Sequence, residues 1–142
     1  MALTRPDVVL LGLVAVIGIG AVVAVAVSHP ESEYRAGSPE AAVQELLRAA
    51  GERDPAALDL VDPGLGCTLQ DVDNAWLPRD LRVDLLDSEV TGDTARVRVE
   101  VIEGTDMLGG YERTEGFGLE RRGDHWVITD MSWPMWCEGS VR

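Results

Sequence analysis

The sequence predicts an α+β fold: an N-terminal transmembrane helix, then a small cone of two or three helices packed on a curved four-stranded antiparallel sheet. Three observations lead to this prediction. Residues 8–27 form an uninterrupted apolar run, residues 38–61 carry apolar side chains at helical spacing, and apolar and polar residues alternate from Leu81 onward. Helices grouped ahead of antiparallel strands are typical of α+β domains.

The apolar run of residues 8–27 contains no charged residue and no proline. As an α-helix it would extend about 30 Å, which matches the hydrocarbon thickness of a bilayer. Arg5 precedes the run and Glu31 and Glu33 follow it, so the positive-inside rule puts the N-terminus in the cytoplasm and the later residues outside. A signal peptide cleaved after residues 24–26 (Ala-Val-Ala) is the alternative, but the run exceeds the usual signal core of about 7–15 residues.

These limits divide the chain into a cytoplasmic stub with a transmembrane anchor (1–30), a spacer (31–37) and an extracytoplasmic domain (38–142).

The formal net charge is −13. Nucleic acid and anionic lipid head groups repel such a domain, so the expected partners are the membrane around residues 8–27 and an envelope protein or a small ligand. No metal or cofactor is expected, because the chain has no CxxC motif and the acidic stretch at Asp71 lacks the other residues of a calcium loop. The sequence leaves the oligomeric state open.

The helical part opens at Ser38, which is predicted to cap a helix whose first residue is Pro39 and whose natural stop is Gly51. The same arrangement recurs at Asp54 and Pro55, which predicts a second short helix as far as Pro63. A third helix is expected between residues 67 and 78.

The strands are predicted as two hairpins. Gly92-Asp93 is a two-residue turn between strands 81–90 and 94–103. The register that it sets places Glu89 opposite Arg96 and Asp87 opposite Arg98, and these opposite charges support that register. It also places Leu86 opposite Val99.

In the second hairpin, strand 111–122 turns at Gly123-Asp124 into strand 125–132. The predicted pairs are Leu119 with Ile128 and Phe117 with Asp130. Arg122-Gly123-Asp124 spells an adhesion tripeptide, but it is equally an ordinary β-turn sequence, which is the interpretation that we adopt.

Four segments of the chain resemble the nuclear-transport-factor-2-like, or polyketide-cyclase-like, superfamily, in particular its small membrane-anchored bacterial members. They are two helix starts and two hairpin turns: residues 38–43, 52–58, 90–95 and 122–128. The resemblance implies a cone of helices on a curved sheet. Members of the superfamily include isomerases, cyclases and secretion-system components, so the resemblance does not choose an activity.

Cys67 and Cys137 are the only cysteines, and both would lie on the oxidising side of the membrane. We expect a disulfide between them, since it would close a loop of roughly 70 residues and stabilise the domain by about 4 kcal/mol. The alternative is two buried free thiols.

The candidate site lies on the inward face of the second hairpin, where apolar residues give way to polar ones. The residues predicted to line a ligand pocket are Arg113, Glu115, Phe117, Trp126 and Asp130. Asp130 and Tyr111 are weak catalytic candidates, because a buried acid beside a tyrosine can move a proton next to a carbonyl, as in catalytic cones of the superfamily. The simpler interpretation of these polar residues is that the strand extends beyond the core and that Arg113 and Glu115 pair with each other in water.

A late cluster of Met131, Trp133, Met135 and Trp136 is predicted to pack in the core beside Cys137, with a lid or a partner-binding patch as alternatives.

The function that the sequence as a whole favours is a single-pass, membrane-anchored extracytoplasmic accessory or binding domain of the bacterial envelope, without catalysis. The alternative is a cone-fold isomerase or cyclase-like enzyme that uses Asp130 and Tyr111.

Overall fold

The computed structural model describes residues 34–104 and 110–140. The elements, in chain order, are α1 (Pro39–Gly51), 3-10 turns at Pro55–Leu60 and Pro63–Leu65, α2 (Leu69–Asp73), β1 (Arg82–Thr91), β2 (Thr94–Glu103), β3 (Tyr111–Arg122), β4 (His125–Asp130) and a last 3-10 turn at Glu138–Ser140. The α+β class is confirmed. The expected anchor at residues 8–27 lies outside the described residues, and within those residues no helix is long and apolar enough to cross a membrane.

Helix α1 begins as its sequence predicts. The backbone N–H of Ala41 donates a hydrogen bond to Ser38 Oγ at 3.1 Å, which satisfies one of the free N–H groups of the first turn. Val43 and Leu46 are 2% and 0% exposed on the face that packs against the sheet, and the helix ends at Gly51.

The expected second short helix is present, but as a 3-10 helix that ends at Leu60, and a separate 3-10 turn follows at Pro63–Leu65. Asp54 and Asp62 each cap one turn, with their carboxylates accepting from the N–H groups two residues on. The prolines at the start of each turn leave room for only a short helix, and Val61 pairs with Ile128 of β4 instead of continuing it. The third expected helix is present as α2, which Thr68 and Asp71 cap reciprocally.

The four strands form one antiparallel sheet in the order β1-β2-β3-β4. The register at the first turn is confirmed, including both predicted charge pairs, Glu89 with Arg96 and Asp87 with Arg98. Further along, a bulge between Leu85 and Asp87 makes Leu85, and not Leu86, the partner of Val99, which corrects that part of the prediction. Leu86 is the extra residue of the bulge, and it is 46% exposed.

The second hairpin pairs Leu119 with Ile128 as predicted, but Asp130 pairs with Gly118 and not with Phe117. A bulge on β4 at Thr129 causes the shift, because one additional residue moves every later side chain to the opposite face. Asp130 therefore lies on the outer face of the sheet, away from the helices.

Glycines in β3 allow side chains of β2 and β4 to meet over that strand on the outer face. Arg96 of β2 and Asp130 of β4 approach to 3.8 Å between their charged groups. A Cβ at Gly118 would lie 3.0 Å from Cβ of Asp130, and one at Gly116 would lie 3.6 Å from Nη1 of Arg96. The glycines thus leave room for an ion pair that any larger residue at position 118 would crowd.

The core lies between the helical segments and the inner face of the sheet. Its largest fully buried side chains include Phe117, Leu46, Leu119, Ile128, Met131 and Met135. Trp133 is 3% exposed and meets Phe117 edge to face at 6.4 Å between ring centres. The core role expected for the late cluster holds for three of its members, whereas Trp136 is 62% exposed.

Candidate functional site

The chain beyond β4 lies antiparallel to the segment that contains α2 and is bonded to it at two places. At one end Cys67 and Cys137 form the expected disulfide, with an S–S distance of 2.00 Å. At the other end the N–H of Trp76 donates to the carbonyl of Pro134 at 3.1 Å, and Trp133 Nε1 donates to the carbonyl of Trp76 at 3.0 Å. The two segments consequently present their tryptophans together.

A cleft of about 270 Å³ opens where these segments meet the end of β3. We name it the tryptophan cleft; its lining residues are Trp76, Arg113, Glu115, Ser132, Trp133 and Trp136. Three of the four tryptophans of the chain therefore contribute to one small concave surface. Concave sites lined by aromatic side chains with a few polar groups are typical of ligand binding.

Arg113 organises the polar part of the cleft. Its guanidinium carbon lies 5.2 Å from the ring centre of Trp76 and 5.6 Å from that of Trp133, within the range of cation–π attraction. The same guanidinium pairs with Glu103 and, at 2.8 Å from Nε, with Glu115. These three side chains are only 22%, 21% and 16% exposed, so their mutual pairing compensates for their partial removal from water.

Glu115 is held from two sides. Its Oε1 accepts from Arg113, and its Oε2 accepts from the hydroxyl of Ser132 at 3.2 Å. Glu103 and Glu115 are thus both ion-paired with one arginine, and neither carboxylate lies alone in an apolar environment. The cleft therefore suits the recognition of a ligand better than proton transfer.

The structure brings together only part of the predicted pocket. Arg113 and Glu115 line the cleft, and Phe117 lies beneath it against Trp133. Trp126 is buried at the far end of the sheet, where it pairs with Arg121, whose guanidinium lies 4.8 Å from its ring centre. Arg121 is eight positions from Arg113 along β3, which separates Trp126 from the cleft by roughly 26 Å.

The two catalytic candidates lie on opposite faces of the sheet. Tyr111 pairs with Glu103 and shares the inner face with Arg113, but its side chain is 68% exposed. Asp130 lies on the outer face beside Arg96, with a side chain that is 67% exposed. The structure therefore brings no acid–tyrosine pair together at these positions, and it surrounds neither group with the apolar environment that proton transfer requires.

Sequence reasoning missed the three tryptophans of the cleft. Trp76 falls in a short segment of mixed pattern, and the apolar pattern of the late cluster favours core packing over the lid or partner-binding patch that it also allows. A usable signal was the position of Trp76 and Trp136 relative to Cys67 and Cys137, because a bond between those cysteines draws the two segments together.

Two further clefts, of about 390 and 420 Å³, lie along the outer face of the sheet. Both are bordered by Glu89 and Arg96, and neither is lined by an aromatic side chain. In the second, Asp87 pairs with Arg98, whose hydrogen bond holds the pKa of Asp87 below its ordinary value. Such charge-paired outer faces are typical of solvated sheets, so the tryptophan cleft is the stronger candidate.

The fold is similar to that of a solved structure. That structure is the solution structure of a SEC-C motif containing protein from Rhodopseudomonas palustris, and the TM-score is 0.53. The two chains are 16% identical, and the match covers 68% of this chain and 78% of that one. No protein-family model and no curated protein matches the chain. The likeness shows a common fold.

This comparison corrects the resemblance to the nuclear-transport-factor-2-like superfamily, which is wrong as a family assignment. The structure that matches is a SEC-C motif protein, and no family model supports the other superfamily. The four matching segments are helix starts and turns such as Ser38-Pro39 and Gly92-Asp93, and such segments reflect local backbone geometry that unrelated α+β domains share.

Proposed function

We propose that this chain is an extracytoplasmic binding domain, tethered to the membrane by residues 8–27 with its N-terminus in the cytoplasm, and that its ligand occupies the tryptophan cleft. The observation that carries the binding role is the cleft itself: exposed Trp76 and Trp136 are held by a disulfide and by backbone hydrogen bonds around a set of paired charges. Aromatic side chains that project from a fixed backbone bind with a smaller loss of conformational freedom than those on a mobile segment.

Two observations support the location. The run at residues 8–27 has the length and the flanking charges of a single-pass anchor. The disulfide between Cys67 and Cys137 is of the kind that persists outside the cytoplasm.

The location is tested by protease treatment of intact spheroplasts that express the full chain with a C-terminal tag. We expect the tag to be digested without lysis. A tag that stays protected until the membrane is opened would contradict the orientation.

The binding role is tested by tryptophan fluorescence of the full chain in detergent micelles, with choline chloride, glucose and sodium acetate as probes of three ligand chemistries. We expect at least one probe to change the fluorescence in a saturable way, and Trp136→Phe to abolish that change. An absence of response to all three, or a response that Trp136→Phe leaves intact, would contradict the proposal.

The enzymatic alternative needs Asp130 and Tyr111 to cooperate, but these two residues lie on opposite faces of the sheet.

A further inference from the structure

The charges around the tryptophan cleft do not cancel. Arg113 contributes one positive charge, and Glu103 and Glu115, which both pair with it, contribute two negative charges. The set therefore carries one net negative charge in a chain whose formal charge is −13. The field of such a protein concentrates cations at the cleft and disfavours anions.

The indole rings already bind one cation. Arg113 occupies the faces of Trp76 and Trp133, which shows that the rings are oriented for cation–π contact. Trp136 lines the same cleft and is 62% exposed, and among residues 34–104 and 110–140 no guanidinium stacks on its ring. One aromatic face of the cleft thus remains open to a second cation.

A partner for that cation is also present. Each carboxylate oxygen of Glu115 accepts one hydrogen bond, from Arg113 and from Ser132 respectively, and an oxygen of this kind has two lone pairs. The carboxylate can accordingly face an additional positive group without losing its present partners. The cleft volume of about 270 Å³ admits a head group of a few heavy atoms.

We propose that the tryptophan cleft binds a substituted ammonium group, seated on the indole of Trp136 and facing the carboxylate of Glu115. This inference rests on the proposed binding function and names the chemistry of its ligand. The ammonium group comes either from a free small cation or from a lysine side chain of a partner protein, and both sources share the same recognition.

The inference is tested by calorimetric titration of the full chain in detergent micelles. The probes are choline and 3,3-dimethylbutan-1-ol, which has the same shape as choline but lacks its charge. We expect choline to bind at least about fivefold more tightly, since a cation–π contact together with a facing carboxylate is worth on the order of a factor of five to ten.

The variants locate the effect. Trp136→Ala and Glu115→Gln should each weaken choline binding about two- to fivefold. Glu115→Gln should weaken binding of the neutral alcohol less than it weakens binding of choline. Asp87→Asn is the matched control, because Asp87 pairs with an arginine in the same way as Glu115 but on the outer face of the sheet. It should leave choline binding unchanged, and thermal melting checks that each variant is folded.

The two sources are separated by a third probe, Nα-acetyl-lysine methylamide. Tighter binding of choline supports a free small cation, and tighter binding of the lysine derivative supports a partner side chain. Equal affinity for choline and its neutral analogue would overturn the ammonium inference but leave the binding function intact. A saturable response to glucose or acetate without binding of choline would likewise overturn only the ammonium inference. A lack of binding by every probe would overturn the ammonium inference and the binding function together.

Discussion

The disulfide between Cys67 and Cys137 gives the most quantitative prediction. The two cysteines are 70 positions apart, so their bond removes about 4 kcal/mol of loop entropy from the unfolded chain in the chain-entropy model. A domain of about 110 residues unfolds with an entropy of about 230 cal/mol/K near its midpoint. Loss of the bond should therefore lower Tm by about 17 °C.

Differential scanning calorimetry of the full chain checks this value with and without a reductant, alongside Cys67→Ala, Cys137→Ala and the double variant. Each single variant should lose as much Tm as the double variant, because either change removes the same bond. The intact mass of the wild type should rise by about two hydrogens on reduction. A Tm that falls by less than about 5 °C in every variant, or two thiols that alkylate without reduction, would refute the reasoning.

Three further predictions concern the sheet and the tryptophans. Gly118→Val should lower the free energy of unfolding in urea by about 1–3 kcal/mol because its Cβ would crowd Asp130, whereas Gly116→Ala, which faces only the flexible end of Arg96, should change it by less than about 1 kcal/mol. The hydrogen bond from Arg98 lowers the pKa of Asp87, so the pair stabilises the fold above about pH 4 and loses this effect as the pH falls through the lowered pKa. Asp87→Asn should therefore flatten the dependence of the urea midpoint on pH below about pH 4, and an unchanged slope would contradict this. Trp133→Ala should lower the free energy of unfolding by about 3–5 kcal/mol in the same urea assay, because the ring of Trp133 is buried. Trp136→Ala should lower it by less than about 1 kcal/mol, because Trp136 is exposed. Equal losses would contradict this and show that Trp136 also supports the core.

The parts of the fold that follow from local chemistry could be predicted from the sequence. The cap at Ser38 and the turn at Gly92-Asp93 depend on residues a few positions apart, and the charge pairs beyond the turn specify the register. The bulges near Leu86 and Thr129 could not be predicted in this way, because alternation of apolar and polar residues does not show where a strand holds one extra residue. That single residue on β4 moved Asp130 from the expected pocket to the outer face.

The candidate site was predictable only in part, for a physical reason. Arg113 and Glu115 lie two residues apart on one strand, so their shared face follows from the strand period. Trp76 and Trp136 are 60 positions apart and meet through contacts that the tail makes with the segment around α2. Contacts of such long range depend on the packed structure and leave no periodic signal in the sequence.

The indole N–H signals of the full chain give the most direct test of the claim that the tryptophan cleft is the ligand site. The four tryptophans give four such signals in a ¹⁵N-labelled sample, which Trp→Phe variants assign individually. Titration with choline should shift the signals of Trp136 and Trp76 in a saturable way and leave that of Trp126, roughly 26 Å along the sheet, unchanged. Saturable shifts confined to Trp126, or four signals that stay fixed for every probe, would contradict the account.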